Sequence, residues 1–300
     1  MEEIEAFREY LQLRGLAPAT IERHYYALRR YIEFCKARGT NHALASEEDL
    51  LAYLAALRSQ GQRHASLKQA FSSLSVYCAW LARQKKIPFN PVLELKEVYL
   101  RQYKPENRER QLISIGDAAK MIMLTLRARD RAFLFLLFKT GIRRNELVSL
   151  DMGDLDFEKM EAHLKPTGKR SNRIVYFDEE CARALKRWLK VREARNPSSP
   201  AFFLNDKNER LGPHGLDDLV AIAGERAGLH DPKSSRIEDK FTPHCCRHWF
   251  TTHLRRAGMP REFIQELRGD VRREAIDIYD HIDKEELKKS YLACIPQLGV

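Results

Sequence analysis

A histidine and an arginine lie three residues apart near the C-terminal end of the chain, and a tyrosine follows them further along. Residues 242–248 read Thr-Pro-His-Cys-Cys-Arg-His, and residues 278–281 read Ile-Tyr-Asp-His. The Thr-Pro pair is typical of a helix start, and residues three apart on a helix are neighbours. We therefore expect His244 and Arg247 to point the same way. Together with Tyr279, they are residue types that cleavage of a phosphodiester would require.

A second arginine follows a predicted glycine turn in residues 140–147, Thr-Gly-Ile-Arg-Arg-Asn-Glu-Leu. Arg143 would lie at the start of a new helix, whose free N–H groups favour an anion, and could bind one phosphate. Alternatively, Arg143 is a surface residue paired with an acidic side chain. Residues 140–147 taken by themselves favour this alternative. Lys165 and Lys169 flank or occupy a predicted hairpin tip, where solvated lysines are common. Tyr279 could equally be a half-buried packing residue.

Composition indicates a globular protein for which nucleic acid is the first partner to consider, although many soluble proteins are mildly basic. The 300 residues suggest two domains, and no apolar run approaches the length of a membrane helix. The net charge of +10 comes with many arginines, which form forked hydrogen bonds to phosphate. The N-terminal residues show neither a basic nor an apolar leader, so we expect a cytoplasmic protein. The six cysteines lack paired spacing and predict reduced packing residues, and a metal site is not expected.

The first hundred residues predict a small helical domain. Helical periodicity is visible in four stretches separated by glycine and proline breaks: Ile4–Arg14, Ala19–Ala37, Ser46–Ser59 and Ser66–Gln84. The segment from Lys96 to Arg110 has little apolar periodicity and indicates an exposed basic linker. We place the domains at residues 1–100 and 112–300, with residues 101–111 as the linker.

The second domain is predicted to be mixed, with most of its length helical. Ser114 and Asp117 resemble a capping box, and Gly141 is expected to end an apolar helix. The remaining predicted helices are 118–126, 130–139, 179–194, 213–227, 243–257, 260–267 and 283–294, and the predicted strands are 155–157, 162–165 and 173–177. The fold class is therefore mainly α with a small β-hairpin or sheet.

Taken together and in this order, the motifs resemble the tyrosine recombinase and phage integrase family, including the Xer recombinases and especially their archaeal members. The matching segments lie at residues 140–147, 168–175, 242–254, 264–270 and 278–281, and the N-terminal domain matches at 16–21 and 90–91. The resemblance covers nearly the whole chain. It implies a two-domain DNA clamp, made of a helical core-binding domain (SAM-like) and a tyrosine-recombinase catalytic domain.

The resemblance also implies roles for individual residues. Tyr279 would attack the scissile phosphate and form a 3′-phosphotyrosyl bond, and Arg143 and Arg247 would contact the non-bridging oxygens. His244 would help to manage the tyrosine proton, and Lys169, or alternatively Lys165, would protonate the leaving 5′-oxygen. Glu146 and His248 match supporting positions. The residues expected to contact DNA are Arg101, Lys104, Arg108, Arg110, Lys165, Arg170 and Arg173.

The chain departs from the family at one position. Most members have Leu-Gly-His, with a histidine or tryptophan at the phosphate, where this chain has Arg268-Gly269-Asp270. A carboxylate would repel a phosphate unless it is protonated or faces a cation, so we hypothesise that Asp270 orients a cationic site residue. His281 could alternatively supply the missing contact.

The implied activity is site-specific recombination of double-stranded DNA by a homo-oligomer, a tetramer on paired sites, without ATP, metal or other cofactor. Two rival functions remain open at this point. The first is a DNA-binding protein of the same fold that has lost catalysis, for which Asp270 is the best sequence evidence. The second is a topoisomerase-like enzyme that nicks and reseals one strand. The sequence leaves open whether the tail from Asp283 to Val300 packs on its own domain or on a neighbouring protomer.

Overall fold

The computed structural model describes residues 2–101, 112–166, 173–234, 236–270 and 282–300. The chain divides into two compact units, Met1–Asn107 and Arg108–Val300. Each unit contains its own cluster of buried hydrophobic residues. The fold is mostly helical with one small antiparallel sheet, as the sequence predicts.

Unit 1 is helical throughout its described part. Ser46 caps the third helix by accepting a hydrogen bond from the backbone N–H of Asp49 at 3.2 Å, and aromatic side chains such as Tyr31 and Phe71 fill the core. Its helices are α1 (Glu2–Leu13), α2 (Pro18–Arg38), α3 (Glu47–Ser59), α4 (His64–Arg83) and α5 (Val92–Leu95), and a π-helical turn (Lys96–Leu100) continues α5.

Lys96–Leu100, where the sequence indicated the beginning of an exposed segment, is a π-helical turn of unit 1, and the linker placed at residues 101–111 stays a prediction. Leu95 and Leu100 are both buried, and the carbonyl of Leu100 lies 3.1 Å from Nε2 of His64. The two leucines are five residues apart, a spacing that a π-helical turn brings to one face. The ordinary 3.6-residue period does not detect this pattern.

Unit 2 is built around a helix that is buried on nearly all sides. Ser114 and Asp117 form the predicted capping box at the start of α6, and the apolar helix α7 ends at Gly141. A helix that is apolar all round must lie inside the domain. The helices of this unit are α6 (Ile115–Met123), α7 (Ala128–Thr140), α8 (Arg144–Ser149), α9 (Glu179–Ala194), α10 (Pro213–Ala227), α11 (Pro243–Arg256), α12 (Arg261–Arg268) and α13 (Lys284–Cys294).

A three-stranded antiparallel sheet follows α8, in the order β1–β2–β3. The strands are β1 (Leu155–Asp156), β2 (Glu161–Leu164) and β3 (Arg173–Tyr176). Leu164 pairs with Arg173, so β2 and β3 flank residues 165–172 as a hairpin would. The register places Arg173 at the end of the sheet that faces α12, where its side chain reaches the site described below.

The tail from Asp283 to Val300 packs on its own unit. Tyr291 and Leu298 are buried in the core of unit 2. The fully buried ammonium of Lys139 lies 2.7 Å from Oε2 of Glu180, and the same carboxylate accepts hydrogen bonds from the backbone N–H groups of Leu298 and Gly299 at 2.8 and 2.6 Å. A buried charge is stable only when it is paired, so this cluster fixes the end of the chain.

Five of the six cysteines are buried, and all six are free thiols. Burial raises the pKa of the Cys181 and Cys246 thiols, which agrees with the predicted packing role. Within the described ranges, no helix combines the length and the apolar character needed to cross a bilayer.

Candidate active site

Four of the predicted site residues line one cleft in unit 2. The cleft has a volume of about 780 Å³, and Arg143, Glu146, His244 and Arg247 all contribute to its wall. They come from the start of α8 and from the first turns of α11. The sequence motifs that predict this group are about a hundred residues apart, and the fold brings them together.

Helix α11 carries two of these side chains on one face, as the spacing predicts. The helix begins at Pro243, with Thr242 at the N-cap position, but the Thr242 hydroxyl does not accept a bond from a helix N–H. It lies 3.6 Å from the Cys245 thiol instead. His244 is exposed in the cleft, whereas the guanidinium of Arg247 is buried with only 4% of its side chain exposed.

Gly141 joins the turn that carries Arg143 to helix α11. Its φ of +59° is left-handed, and a Cβ at this position would lie 2.4 Å from Cδ1 of Phe250 in α11. Only glycine satisfies both conditions. The close contact therefore sets the distance between the two arginine-bearing segments.

Neutral carbonyl groups hold the Arg247 guanidinium. Nη1 donates to the carbonyl of Gly141 at 2.7 Å, and Nη2 donates to the carbonyl of Arg268 at 2.8 Å. Burial, followed by the neighbouring positive charges of Arg143 and Arg268, lowers the pKa of Arg247 to about 9. Arg247 is therefore still a cation at neutral pH, in a place that favours a negative partner.

Arg143 is the N-cap residue of α8. The carboxylate of Glu146 occupies part of this helix start, where the sequence predicted that a phosphate could bind. The backbone N–H of Arg143 donates to Oε2 of Glu146 at 2.7 Å, so an internal carboxylate binds this helix start. The Arg143 side chain is 30% exposed, and its Nη1 donates to the carbonyl of Arg268 at 2.9 Å. The two arginines therefore share one backbone acceptor.

The guanidinium of Arg173, for which the sequence predicted a DNA contact, is buried in an ion pair with Glu146. Nη1 and Nη2 donate to the two carboxylate oxygens of Glu146, each at 2.8 Å, and Nε donates to the carbonyl of Leu267 at 3.1 Å. Burial alone would raise the pKa of Glu146, but the bonds from Arg173 and from the Arg143 backbone outweigh it, and the pKa is lowered. Arg173 supports the site from inside the protein.

Asp270 lies against both site arginines. Its Oδ1 is 3.5 Å from Nη2 of Arg143 and 3.3 Å from Nη2 of Arg247, and Oδ2 is 3.1 Å from Nε of Arg268. Gly269, the preceding residue, has a φ of +61°, and a Cβ there would lie 2.6 Å from Nη1 of Arg173. A glycine is required at this position for the end of α12 to approach Arg173.

Lys165, the alternative catalytic lysine, contacts acidic residues outside the cleft. Its ammonium donates to the carboxylate of Asp151 and to the carbonyl of Ser149 at 3.0 Å, and it lies 3.4 Å from Oδ2 of Asp154. The bond from Asp151 raises the pKa of Lys165. The cleft residues do not include it.

The other predicted residues are exposed or lie outside the described ranges. His248 is exposed one turn after His244, and Arg101 is exposed with its Nη1 at 3.3 Å from Oε1 of Glu97. The predictions that fall outside the described residues concern Lys104, Arg108, Arg110, Lys169, Arg170, Tyr279 and His281.

The sequence did not predict the role of the Arg268 carbonyl. This backbone oxygen accepts from both Arg143 and Arg247. The last carbonyls of a helix have no partner within the helix, so the end of α12 offers acceptors to nearby donors. A main-chain acceptor carries no residue-type signal, and the position of Gly269 was the only sequence feature that could have indicated it.

The part of the chain that contains the cleft matches the sequence model of a known protein family. The model of the phage integrase family matches residues 107–286, and the model of the phage integrase N-terminal SAM-like domain matches residues 4–87. The first match covers more than half of the chain. The chain belongs to the phage integrase family. All the cleft residues of this integrase lie within the first match.

Relatives of this integrase align over almost its entire length. It is 30% identical to the tyrosine recombinase XerC of Pelotomaculum thermopropionicum, with 98% of each chain covered. It is 28% identical to the tyrosine recombinase XerC of Herpetosiphon aurantiacus, over 96% of this chain and 93% of that relative.

Solved integrase structures share its fold. A lambda integrase dimer bound to a COC′ core site matches with a TM-score of 0.68 and 16% identity, over 94% of this chain and 98% of that one. The Tn1549 transposon integrase in complex with a circular intermediate DNA matches with a TM-score of 0.69 and 17% identity, over 92% of this chain and 97% of that one.

Proposed function

We propose that this integrase is a site-specific tyrosine recombinase that cleaves and rejoins double-stranded DNA through a 3′-phosphotyrosyl intermediate. One observation carries the proposal. Arg143 and Arg247, from distant parts of the sequence, bring their Nη2 atoms to within 3.5 and 3.3 Å of a single anionic oxygen, in a cleft that also exposes His244. Two guanidinium groups converging on one acceptor are suited to the non-bridging oxygens of a phosphodiester.

In this proposal, Tyr279 is the nucleophile. Its oxygen forms a bond to phosphorus while the bond between phosphorus and the 5′-oxygen breaks, and the DNA keeps its 3′-phosphate on the protein. Arg143 and Arg247 stabilise the negative charge that grows on the non-bridging oxygens, and His244 assists transfer of the tyrosine proton. Attack by a 5′-hydroxyl on the phosphotyrosine reverses the step. Each step forms one phosphoester bond for the one that it breaks, so the bond energy is kept and rejoining requires neither ATP nor a metal ion.

We assign protonation of the leaving 5′-oxygen to Lys169. The alternative, Lys165, is held by Asp151, Asp154 and the Ser149 carbonyl, outside the cleft. Its pKa is raised by the bond with Asp151, and a lysine with a raised pKa is a weaker general acid. Substitution of Lys165 should therefore leave cleavage intact, whereas substitution of Lys169 should slow it.

The partner we propose is double-stranded DNA, held in a clamp by the two domains, with a tetramer of this chain assembled on paired sites in the cytoplasm. The net charge of +10 supports binding to the DNA backbone. Contacts with phosphates release counterions, so affinity should fall steeply as salt increases. Arg101, Lys104, Arg108, Arg110, Lys165 and Arg170 remain proposed DNA contacts.

Two rival functions make different products. A DNA-binding protein without catalysis would form no covalent adduct, and a topoisomerase-like enzyme would form an adduct and relax supercoils without exchanging strands. Incubating a supercoiled plasmid with a linear DNA, each carrying the same target site, separates the three. Linear molecules into which the plasmid has been joined at the site support the recombinase. Relaxed plasmid without recombinants would contradict it, and so would unchanged parents on which the protein is bound.

A further inference from the structure

A carboxylate of the chain itself occupies the place between the two site arginines. Oδ1 of Asp270 lies 3.5 Å from Nη2 of Arg143 and 3.3 Å from Nη2 of Arg247. A carboxylate and a phosphate present the same kind of acceptor oxygen to a guanidinium. The donors that face Asp270 are therefore the ones that an incoming phosphate oxygen would need.

The contacts with Asp270 are longer than the contacts that orient the arginines. Charge-assisted N–H···O bonds are typically about 2.7–2.9 Å long, and the bonds to the carbonyls of Gly141 and Arg268 fall in that range at 2.7, 2.8 and 2.9 Å. Both guanidinium groups have these carbonyl partners in addition to Asp270. The carboxylate therefore supplies charge more than it supplies geometry.

The negative charge of Asp270 is needed because the positive charges of Arg143, Arg247 and Arg268 repel one another. Arg247 is almost fully buried, and Arg143 and Arg268 lie close enough to lower its pKa. A buried cation without a partner is costly, and an adjacent anion offsets that cost. Asp270 is 30% exposed, so its side chain has solvent beside it and can turn away from the arginines without disturbing the core.

We propose that Asp270 is an internal counter-anion that fills the arginine pair in the DNA-free protein and is displaced when a phosphodiester enters. The identity of the incoming anion rests on the proposed function. Asp270 and an external anion compete for the same two arginines. The apparent affinity for the external anion is the intrinsic affinity multiplied by the fraction of molecules in which Asp270 has left the arginine pair. If Asp270 fills the pair in nine molecules out of ten, the affinity falls about tenfold.

The experiment is a calorimetric titration of the full chain with inorganic phosphate, at low ionic strength and in a buffer without other oxyanions. Asp270→Asn keeps the shape of the side chain and removes its charge. We expect it to bind phosphate about tenfold more tightly than the wild type. Phosphate binding that is unchanged, weaker or undetectable in Asp270→Asn overturns the proposal.

Asp217→Asn is the matched control. Asp217 lines the same cleft but pairs with Arg144, so its substitution removes one negative charge from the cleft without opening the arginine pair. Solvent screening should limit its effect on phosphate affinity to about twofold. An equal gain in both variants would show a general charge effect and would overturn the specific role of Asp270.

Thermal unfolding gives a second measurement that does not depend on catalysis. Without phosphate, Asp270→Asn should melt below the wild type because the arginines lose their counter-anion, and phosphate should raise its melting temperature more than that of the wild type. Asp270→Ser serves the same purpose if the asparagine variant does not fold. An equal phosphate response in wild type and variant overturns the proposal.

The outcomes also separate this proposal from the others made for the site. If Asp270 orients the arginines, as the sequence suggested, Asp270→Ala should bind phosphate more weakly than the wild type, whereas removal of a counter-anion should strengthen phosphate binding. Failure of the recombinase function would appear as absence of Tyr279-dependent DNA adducts, while phosphate titration would still report on Asp270. Adducts in the wild type together with unchanged phosphate binding in Asp270→Asn would refute the counter-anion alone.

Discussion

The carboxylate of Glu146 binds both ends of the Arg173 guanidinium, with Oε1 2.8 Å from Nη1 and Oε2 2.8 Å from Nη2. Their side chains are 2% and 8% exposed, respectively. The remaining donor of Arg173, Nε, binds the carbonyl of Leu267. This pair therefore connects the start of α8 to the end of α12, the two segments that position Arg143 and the Arg268 carbonyl.

Arg173→Met should destabilise unit 2 by about 3–5 kcal/mol, because it leaves the buried Glu146 carboxylate without its main partner. Urea unfolding followed by tryptophan fluorescence measures this change. The Trp80→Phe background restricts the signal to unit 2, because Trp188 and Trp249 are the other two tryptophans.

The control for Arg173 is an exposed arginine of the same unit. Nε of Arg236 lies 3.8 Å from Oδ2 of Asp239, and the arginine side chain is 72% exposed. Arg236→Ala should cost less than about 1 kcal/mol, as exposed ion pairs usually do. Similar losses in the two variants would show that the Glu146–Arg173 pair contributes no more than a surface contact.

Acid should weaken unit 2 through Glu146. Its pKa is lower in the folded protein than the ordinary value of 4.5, so the ionised group stabilises the fold above that value and this contribution is lost as the pH falls through the folded pKa. We expect the free energy of unfolding of the wild type to exceed that of Glu146→Gln at about pH 6, and the difference to shrink below about pH 4. A difference that is constant over this range would contradict the assignment.

Gly141→Ala should be more damaging than a change at another left-handed helix end. Gly228 has a φ of +78°, and no atom lies within 4 Å of the point that a Cβ would occupy, so Gly228→Ala should show the backbone cost alone, about 1–2 kcal/mol. Gly141→Ala adds a clash with Phe250 and should cost more, with part of the loss recovered when Phe250→Ala is combined with it. Equal losses at Gly141 and Gly228 would show that the close contact with α11 is not important.

Lysine should not replace either site arginine. Arg247 uses two nitrogens to bind the carbonyls of Gly141 and Arg268, and an ammonium cannot reproduce this planar fork. We expect Arg143→Lys and Arg247→Lys to reduce the rate of covalent adduct formation by about 10²–10³-fold, the usual effect of removing one transition-state donor. The folded state of each variant is checked by circular dichroism, and retention of wild-type rates would refute the phosphate-binding role.

The sequence predicted the helices well because their apolar faces and end signals are local. The bounds predicted for α9 and α10 match the structure, since α9 is strongly amphipathic and α10 lies between Pro213 and Gly228. The turn Lys96–Leu100 was missed because buried Leu100 follows buried Leu95, the last residue of α5, at a π-helical spacing. A basic residue beside a hairpin suggests a DNA contact, and nothing local indicates that the partner of Arg173 is Glu146, 27 residues away in sequence.

The site was predictable to the extent that its chemistry resides in side chains. Arg143, His244 and Arg247 were expected together, and they line one cleft. The acceptors that hold the arginines were not predicted, because the carbonyls of Gly141 and Arg268 belong to the backbone and depend on how α7, α11 and α12 meet. The placement of Asp270 between two cations also depends on the fold, although the sequence identified the unusual residue.

Covalent capture on DNA tests the central claim most directly. Wild type and Tyr279→Phe are first shown to bind DNA equally, and are then incubated with sheared genomic DNA from the source organism in chelator, without ATP. Protein–DNA adducts that resist SDS are recovered and sequenced. We predict adducts at discrete sites with the wild type and none with Tyr279→Phe. Adducts that persist in Tyr279→Phe, or are absent from a wild type that binds DNA, would contradict the proposed recombinase mechanism.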